Sequence, residues 1–296
     1  MQLLLTNKNG DTLDLLNSRN YFILYKANAL HGVDTDISEN TSPFMDGTQI
    51  ESVRALPRSI ELGFKIVGDV QTAINYFTSY VKSKQFVTLE EINEDNDQDI
   101  TIKGVATIPP YTRMLSACEI NLTIYCGQPY WEDLQEIINS ISMYLDLLYF
   151  PTEGQYFTEY GRPFGAISTD VQRTINNKSD TTVGMQIEIV ALGEVNSPRL
   201  SCETGEQVGS YMQLNLTLQA NDQVIINTVK GNKYITINGS NTYNGEPILN
   251  YLEFTGNDWL QLETGDNTFN ATAIEDGTRQ PASNVYFNIS YKGRYE

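Results

Sequence analysis

Few side chains in this chain of 296 residues are placed to do chemistry. One histidine exists, His31, just before Gly32. A catalytic triad needs His beside a nucleophile, and a zinc site needs His beside further ligands. No Gly-x-Ser-x-Gly elbow accompanies it, so His31 reads as an ordinary loop residue. The run Glu94-Asp95-Asn96-Asp97-Gln98-Asp99 begins like a calcium loop, with side-chain oxygens at alternate positions. It then fails where the geometry is strict. Ile100 stands where the loop needs Gly, and Ala106 where a bidentate Glu belongs. The run reads as a solvated hairpin tip. No local motif marks a pair of carboxylates for glycoside hydrolysis, and no Gly-x-Gly-x-x-Gly or Walker loop is present. No catalytic, cofactor-binding or metal-binding residue is assigned, and the chain reads as a non-enzyme.

Three cysteines, Cys118, Cys126 and Cys202, cannot close a disulfide framework. Cys118 and Cys126 share the apolar register of one strand with Met114, Ser116, Ile120, Leu122 and Ile124, while Glu119, Asn121, Thr123 and Tyr125 take the wet face. Extended backbone separates the two thiols by roughly 26 Å, far beyond bridging distance. They are core thiols. Asn-x-Ser/Thr triplets such as Asn121-Leu122-Thr123 and Asn270-Ala271-Thr272 follow from Asn- and Thr-rich strands.

The elements that hold these residues are mostly strands. Met185, Ile187, Ile189 and Ala191 alternate with polar neighbours, as do Met212, Leu214, Leu216 and Leu218, and Val285, Phe287, Ile289 and Tyr291. Turn residues at Asn221-Asp222, Lys230-Gly231-Asn232 and Asn238-Gly239-Ser240 separate them. Alternation of period two predicts antiparallel sheets with one face on a core. In the first half, a hairpin is expected around Asn9-Gly10-Asp11, then strands at Tyr21–Ala27 and through Ile60, Leu62, Phe64 and Ile66, with a polar loop from Thr35 to Gly47 between them. Asp69 can N-cap a helix over about 69–82 whose apolar face is Val70, Ala73, Ile74, Phe77, Tyr80 and Val81. Strands resume at Phe86–Leu89, Asp99–Thr107 and Met114–Cys126. Ile137, Ile138, Ile141, Leu145 and Leu148 recur at helical spacing and predict a connecting helix over 131–152, closed by Pro151. The expected division is 1–130, 131–152 and 153–296.

Hydrophobic residues make up 40% of the chain, enough for packed cores, and its length suits two domains of about 150 residues. Acidic residues outnumber basic ones 37 to 19, a net charge of −18. Without a basic patch, binding to nucleic acid is not expected, and the same charge repels anionic membranes. The segment Met1–Thr6 lacks the basic region and apolar length of a signal peptide, and no window spans a bilayer, so the chain is expected to be made in a cytoplasm without membrane insertion.

The order of segments resembles the distal tail (Dit) proteins of siphophages. The likeness is carried by Gly32-Val33-Asp34 with Leu56-Pro57-Arg58-Ser59-Ile60, by Asn176-Asn177-Lys178 with Val183-Gly184-Met185, and by Ala191-Leu192-Gly193-Glu194. It continues through Thr204-Gly205-Glu206, Ala220-Asn221-Asp222 and Gly231-Asn232-Lys233 to Gly265-Asp266-Asn267, where Thr264 replaces the family's usual Pro. The resemblance implies a mainly β fold. An N-terminal β-sandwich belt domain (1–130), with one helix and a projecting hairpin, would form a homo-hexameric ring. A galectin-like or jelly-roll β-sandwich (153–296) would follow the helical linker. It further implies a structural hub of a phage or phage-like tail tip, made in the host bacterial cytoplasm. The ring would join the tail tube protein ring to the tail-tip lysin or fibre protein, with receptor-binding proteins as possible partners and DNA passing through the ring without specific binding; the net charge of −18 adds the expectation that Asp and Glu of the belt domain face its lumen. No cofactor is implied. The alternative is a carbohydrate-binding module or adhesin, with Trp259, Tyr243 and Tyr251 as stacking platforms.

Overall fold

The computed structural model describes residues 2–18, 21–41, 46–93, 98–108, 119–142, 144–146, 165–167, 171–238, 248–255 and 259–296. The chain divides into two compact units, residues 1–135 with 294–296, and residues 136–293. All strand pairs are antiparallel.

Ten strands and the helix build the first unit in chain order: β1 Gln2–Asn7, β2 Thr12–Asp14, β3 Phe22–Asn28, β4 Thr35–Asn40, β5 Gln49–Ala55, β6 Arg58–Ile66, α1 Val70–Tyr80, β7 Phe86–Asn93, β8 Gln98–Thr107, β9 Glu119–Cys126 and β10 Trp131–Asp133. The main sheet runs β2-β1-β7-β8-β9-β6-β3. β10 joins it through β8, and the C-terminal strand Arg294–Tyr295 pairs with β10. The expected alternation is realised in β9, where Ile120, Leu122, Ile124 and Cys126 are buried and Glu119, Asn121 and Tyr125 exposed. Asp69 caps α1, its carboxylate accepting from the Thr72 amide at 2.8 Å. Ala73, Ile74 and Phe77 are the helix's buried stripe, and Phe77 packs edge-on against Phe22 of β3 at 5.7 Å between ring centroids. One cluster of buried apolar residues draws on every strand of the main path and on α1.

β4 and β5 form a separate two-stranded ribbon. The loop expected from Thr35 to Gly47 therefore begins as a strand. Every residue of β4 is exposed, so neither face carries the apolar alternation by which a strand is read.

The second unit adds β11 Ile137–Ile141, β12 Tyr144–Asp146, β13 Gly165–Ile167, β14 Gln172–Asn177, β15 Gln186–Ala191, β16 Val195–Cys202, β17 Tyr211–Leu214, β18 Thr217–Leu218, β19 Gln223–Asn227, β20 Tyr234–Asn238, β21 Leu252–Phe254, β22 Gly265–Glu275, β23 Thr278–Pro281 and β24 Val285–Tyr291. One sheet is β11-β24-β15-β19-β20; the other is β14-β22-β16-β17-β21, with β18 on β16 and β23 on β22. Residues from both sheets, among them Ile187, Ile189, Phe287, Phe269, Leu200 and Met212, share one buried cluster. This is the two-layer sandwich that the alternation in the second half predicts.

The connecting helix expected over 131–152 is absent from the described residues, which instead form β10, β11 and β12. Ile137, Ile138 and Ile141 satisfy a helical spacing, but Ile137 and Ile141 also lie on one face of a strand. β11 pairs along its whole length with β24, from Ile137 opposite Tyr291 to Ile141 opposite Phe287. A β-branched segment beside an open sheet edge gains ladder hydrogen bonds that outweigh a weak helical period. Pro151, Cys118, Met114 and the acidic tip at 94–97 lie outside the described residues.

Candidate functional site

The residues singled out by chemistry do not converge. His31 is half-exposed, and its Nε2 lies 3.3 Å from the Glu91 carboxylate, with its ring near-parallel to Trp131 at 6.1 Å. Cys126 is fully buried, which pushes its thiol up to about 11 and keeps it protonated at neutral pH. Cys202 is likewise buried and raised, and its thiol donates to the Thr204 carbonyl at 3.1 Å. Among the described residues no group of three or more His, Cys, Asp or Glu is placed to hold a metal ion, and no helix is long and apolar enough to cross a membrane.

The polar residues around His31 close one end of the first core. Arg58, 5% exposed, and the Trp131 indole both donate to the Leu30 carbonyl, at 2.8 and 2.7 Å. Among the described residues the Nε and Nη2 of Arg58 find no hydrogen-bond acceptor. Burial lowers the affinity of this guanidinium for its proton, an effect opposed by nearby groups that include Glu296 and Asp34. Sequence reasoning took Arg58 only as part of a strand entry. Its position on the buried register with Ile60, Leu62 and Phe64 is the signal that could have marked it.

Two exposed apolar surfaces stand out in the first unit. On the outer face of the main sheet Phe86, Val105 and Tyr125 sit opposite one another across β7, β8 and β9. Phe86 is 73% exposed and Tyr125 51%. The ribbon carries Ile37, Ile50 and Val53, all exposed. An isolated two-stranded ribbon is marginal in water, so this one presents backbone and apolar side chains together.

Of the aromatic residues weighed as platforms, Tyr243 lies outside the described residues. Tyr251 and Trp259 are partly buried against the second core, and the Lys233 ammonium lies 5.7 Å from the Trp259 ring centre. Both are packing residues first.

The second unit carries a polar network that the sequence reading did not assemble. Pro281, Thr272, Arg199, Gln213 and Glu253 are successive cross-strand partners over β23, β22, β16, β17 and β21. Arg199 Nε and Arg279 Nη2 both donate to Gln213 Oε1, at 2.9 and 2.8 Å. Arg279 Nη1 reaches Thr272 Oγ1 and the Ser197 carbonyl. That carbonyl lies at the bulge between Asn196 and Arg199, where Ser197 has φ 49° and Pro198 has no amide to give a ladder. The Arg199 guanidinium stacks 3.8 Å over the Tyr211 ring. Gln213 Nε2 donates to Asn215, Asn215 donates to Glu253 at 2.8 Å, and the Tyr211 hydroxyl donates to the same carboxylate at 2.9 Å. These bonds hold the Glu253 carboxyl below its ordinary range and raise the Tyr211 phenol. Burial, and then the neighbouring Arg199 charge, lowers Arg279. The alternation of Gln213 and Asn215 with Met212, Leu214 and Leu216 was legible, although Gln213 is buried; the meeting of these residues with Arg199 and Arg279 was not.

No curated protein matches the chain. Among solved structures it resembles the Dit protein of phage SPP1, described as a paradigm of the hub of the adsorption apparatus in phages infecting Gram-positive bacteria. That likeness covers 98% of each chain at 13% identity, with a TM-score of 0.60. Chains of the phage p2 baseplate in its activated conformation match at 12% identity, with TM-scores of 0.41 and 0.40 over 99% of this chain and 98% of theirs. Residues 178–295 match the siphovirus-type tail component, C-terminal domain. Through that region the chain is similar to the siphovirus-type tail components.

Proposed function

We propose that this chain forms a hexameric ring that joins the end of a phage tail tube to the tail-tip protein carrying fibre or lysin activity, with receptor-binding proteins as further partners. The family match over residues 178–295 carries the reading, and the hub described for SPP1 Dit supplies its form. A ring needs head-to-tail contacts between unlike surfaces of neighbouring copies. The first unit offers suitable surfaces: the β4–β5 ribbon, the Phe86–Val105–Tyr125 row, and β2 and β3 at the two ends of the main sheet path. Unpaired strand edges and exposed apolar rows favour association. Its work is structural rather than catalytic. With a net charge of −18, Asp and Glu of this unit facing the lumen would let DNA slide past, since like charges within about one Debye length (~8 Å) repel.

Electron microscopy of tails carrying a labelled copy of the chain tests the proposal. Six copies at the tail tip are expected, with an acidic lumen. Replacing Ile50 and Val53 together by Glu is expected to leave the stability of the chain within about 0.5 kcal/mol, since both are exposed, while abolishing the ring. A basic lumen, a location elsewhere on the particle, or a monomer that binds a glycan array and joins no tail would overturn it.

A further inference from the structure

We propose that the face of the β14-β22-β16-β17-β21 sheet centred on Arg199 and Arg279 binds a phosphate-bearing sugar or polyol, the oxyanion on the two guanidinium groups and the carrier's hydroxyls on the amide, hydroxyl and carboxylate groups beside them.

The charge is the first reason. In a protein with 37 acidic and 19 basic residues, arginines readily find carboxylates. Among the described residues neither Arg199 nor Arg279 has one within ion-pair distance. Their shared acceptor is instead the neutral Gln213 carbonyl oxygen, so the two donor nitrogens lie within two hydrogen-bond lengths of each other. The terminal Nη1 and Nη2 of Arg199 make no hydrogen bond to any described residue. Two adjoining cations with unused donors are stabilised by an oxyanion, whose planar or tetrahedral oxygens match the guanidinium fork. Burial first, and then the Arg199 charge, lowers the proton affinity of Arg279, and the second of these agrees with this crowding.

The second reason is that the pair is held in place. Gln213 is 8% exposed and fixed by its bonds to both arginines and to Asn215. Arg199 is clamped on the Tyr211 ring, and Arg279 on the carbonyl released by the bulge at Ser197. A site whose donors are already ordered loses little entropy on binding.

The surroundings select the carrier. Ser201 and Asn270 face each other on β16 and β22, Ser201 also faces Tyr211 on β17, and Thr272 flanks Arg199. Hydroxyls and amides of this kind suit a polyol. Glu253 accepts hydrogen bonds, so it can accept from a sugar hydroxyl, whereas it would repel an acidic peptide. Because Arg199 covers one face of Tyr211, recognition here rests on hydrogen bonds and charge more than on ring stacking.

This inference needs only the folded second unit and does not rest on the ring. Titration calorimetry of the full chain at low salt with glucose 1-phosphate, glucose, inorganic phosphate and tetraglutamate tests it. Saturable binding of glucose 1-phosphate is expected, tighter than any of the other three. Replacing Arg199 and Arg279 together by Gln should weaken it at least tenfold, while Arg54→Gln, an exposed pair with Asp36 in the first unit, should change nothing. Should the double variant fold poorly, Glu253→Gln serves instead: it keeps both cations, and inorganic phosphate should then bind severalfold more tightly and gain ground on the sugar phosphate, which loses the carboxylate that accepts from its hydroxyl. Unchanged binding in a folded double variant, no effect of Glu253→Gln, or tighter binding of tetraglutamate would sink the proposal. Inorganic phosphate binding as well as the sugar phosphate would remove the polyol from it.

Discussion

The two units solve the same problem, a water-facing sheet, in opposite ways. The first leaves large apolar side chains on its outer face in cross-strand register, Phe86 beside Val105 beside Tyr125, and sets Ile37, Ile50 and Val53 exposed on a two-stranded ribbon. The second covers the same kind of face with a bonded chain of Arg279, Gln213, Asn215, Glu253 and Tyr211. Exposed apolar rows gain free energy when another protein surface covers them. A charged polar network gains nothing from being covered by an apolar surface and loses its water if it is. The first surface is suited to a neighbouring subunit, the second to a small polar ligand.

The comparison is sharpest if each unit stands on its own core, and single large-to-small changes can break it. Phe77 is fully buried in the first cluster and Phe269 in the second. Phe77→Ala and Phe269→Ala should each cost about 3–5 kcal/mol. Scanning calorimetry should show each variant lowering one transition and leaving the other in place. A single transition lowered alike by both would show that the cores melt as one.

Smaller effects come from adding one methyl at closely packed glycines. A Cβ on Gly104 would meet Ile124 Cγ2 at 2.6 Å and the Tyr125 carbonyl at 2.7 Å; on Gly184 it would meet the Val229 Cα at 2.4 Å. Backbone cannot step aside as a flexible side chain can. Gly184→Ala, pressed wholly against backbone, should therefore be the costlier, near the upper end of the roughly 1–3 kcal/mol typical of overpacking. Urea midpoints of the two variants check the order, and Gly104→Ala proving costlier would show that the Val229 segment yields.

How far the sequence discloses this structure depends on how local each determinant is. The strands through Ile60–Phe64, Ile187–Ile189 and Phe287–Ile289 were legible because burial on one face writes a period of two into neighbouring residues. Asp69 and the stripe Ala73, Ile74, Phe77 announced the helix for the same local reason. β11 was misread because Ile-Ile-Asn-Ser-Ile fits both periods, and the deciding partner, β24, lies about 150 residues away. β4 left no pattern at all, being exposed on both faces. The Arg199–Arg279 pair depends on a bulge at Ser197 and on strands far apart in the chain, so no local window could contain it.

The smallest expected effect is the most informative about the end of the first core. Arg58 is buried with one hydrogen bond, to a Leu30 carbonyl that Trp131 also serves, and two donors unsatisfied. Arg58→Met keeps the length and apolar bulk of the side chain. It removes the stranded donors and the cost of burying a charge, and forfeits one charge-assisted hydrogen bond together with the attraction of Glu296 and Asp34. These contributions nearly cancel, so the variant should stay within about 1 kcal/mol of the parent in chemical denaturation. A loss above about 3 kcal/mol would mean that the guanidinium is well paired after all. If stability holds but the labelled variant no longer reaches the tail tip, the unsatisfied donors serve a contact made only in the assembled particle, and the polar end of the first core joins its apolar rows as a surface built for another subunit.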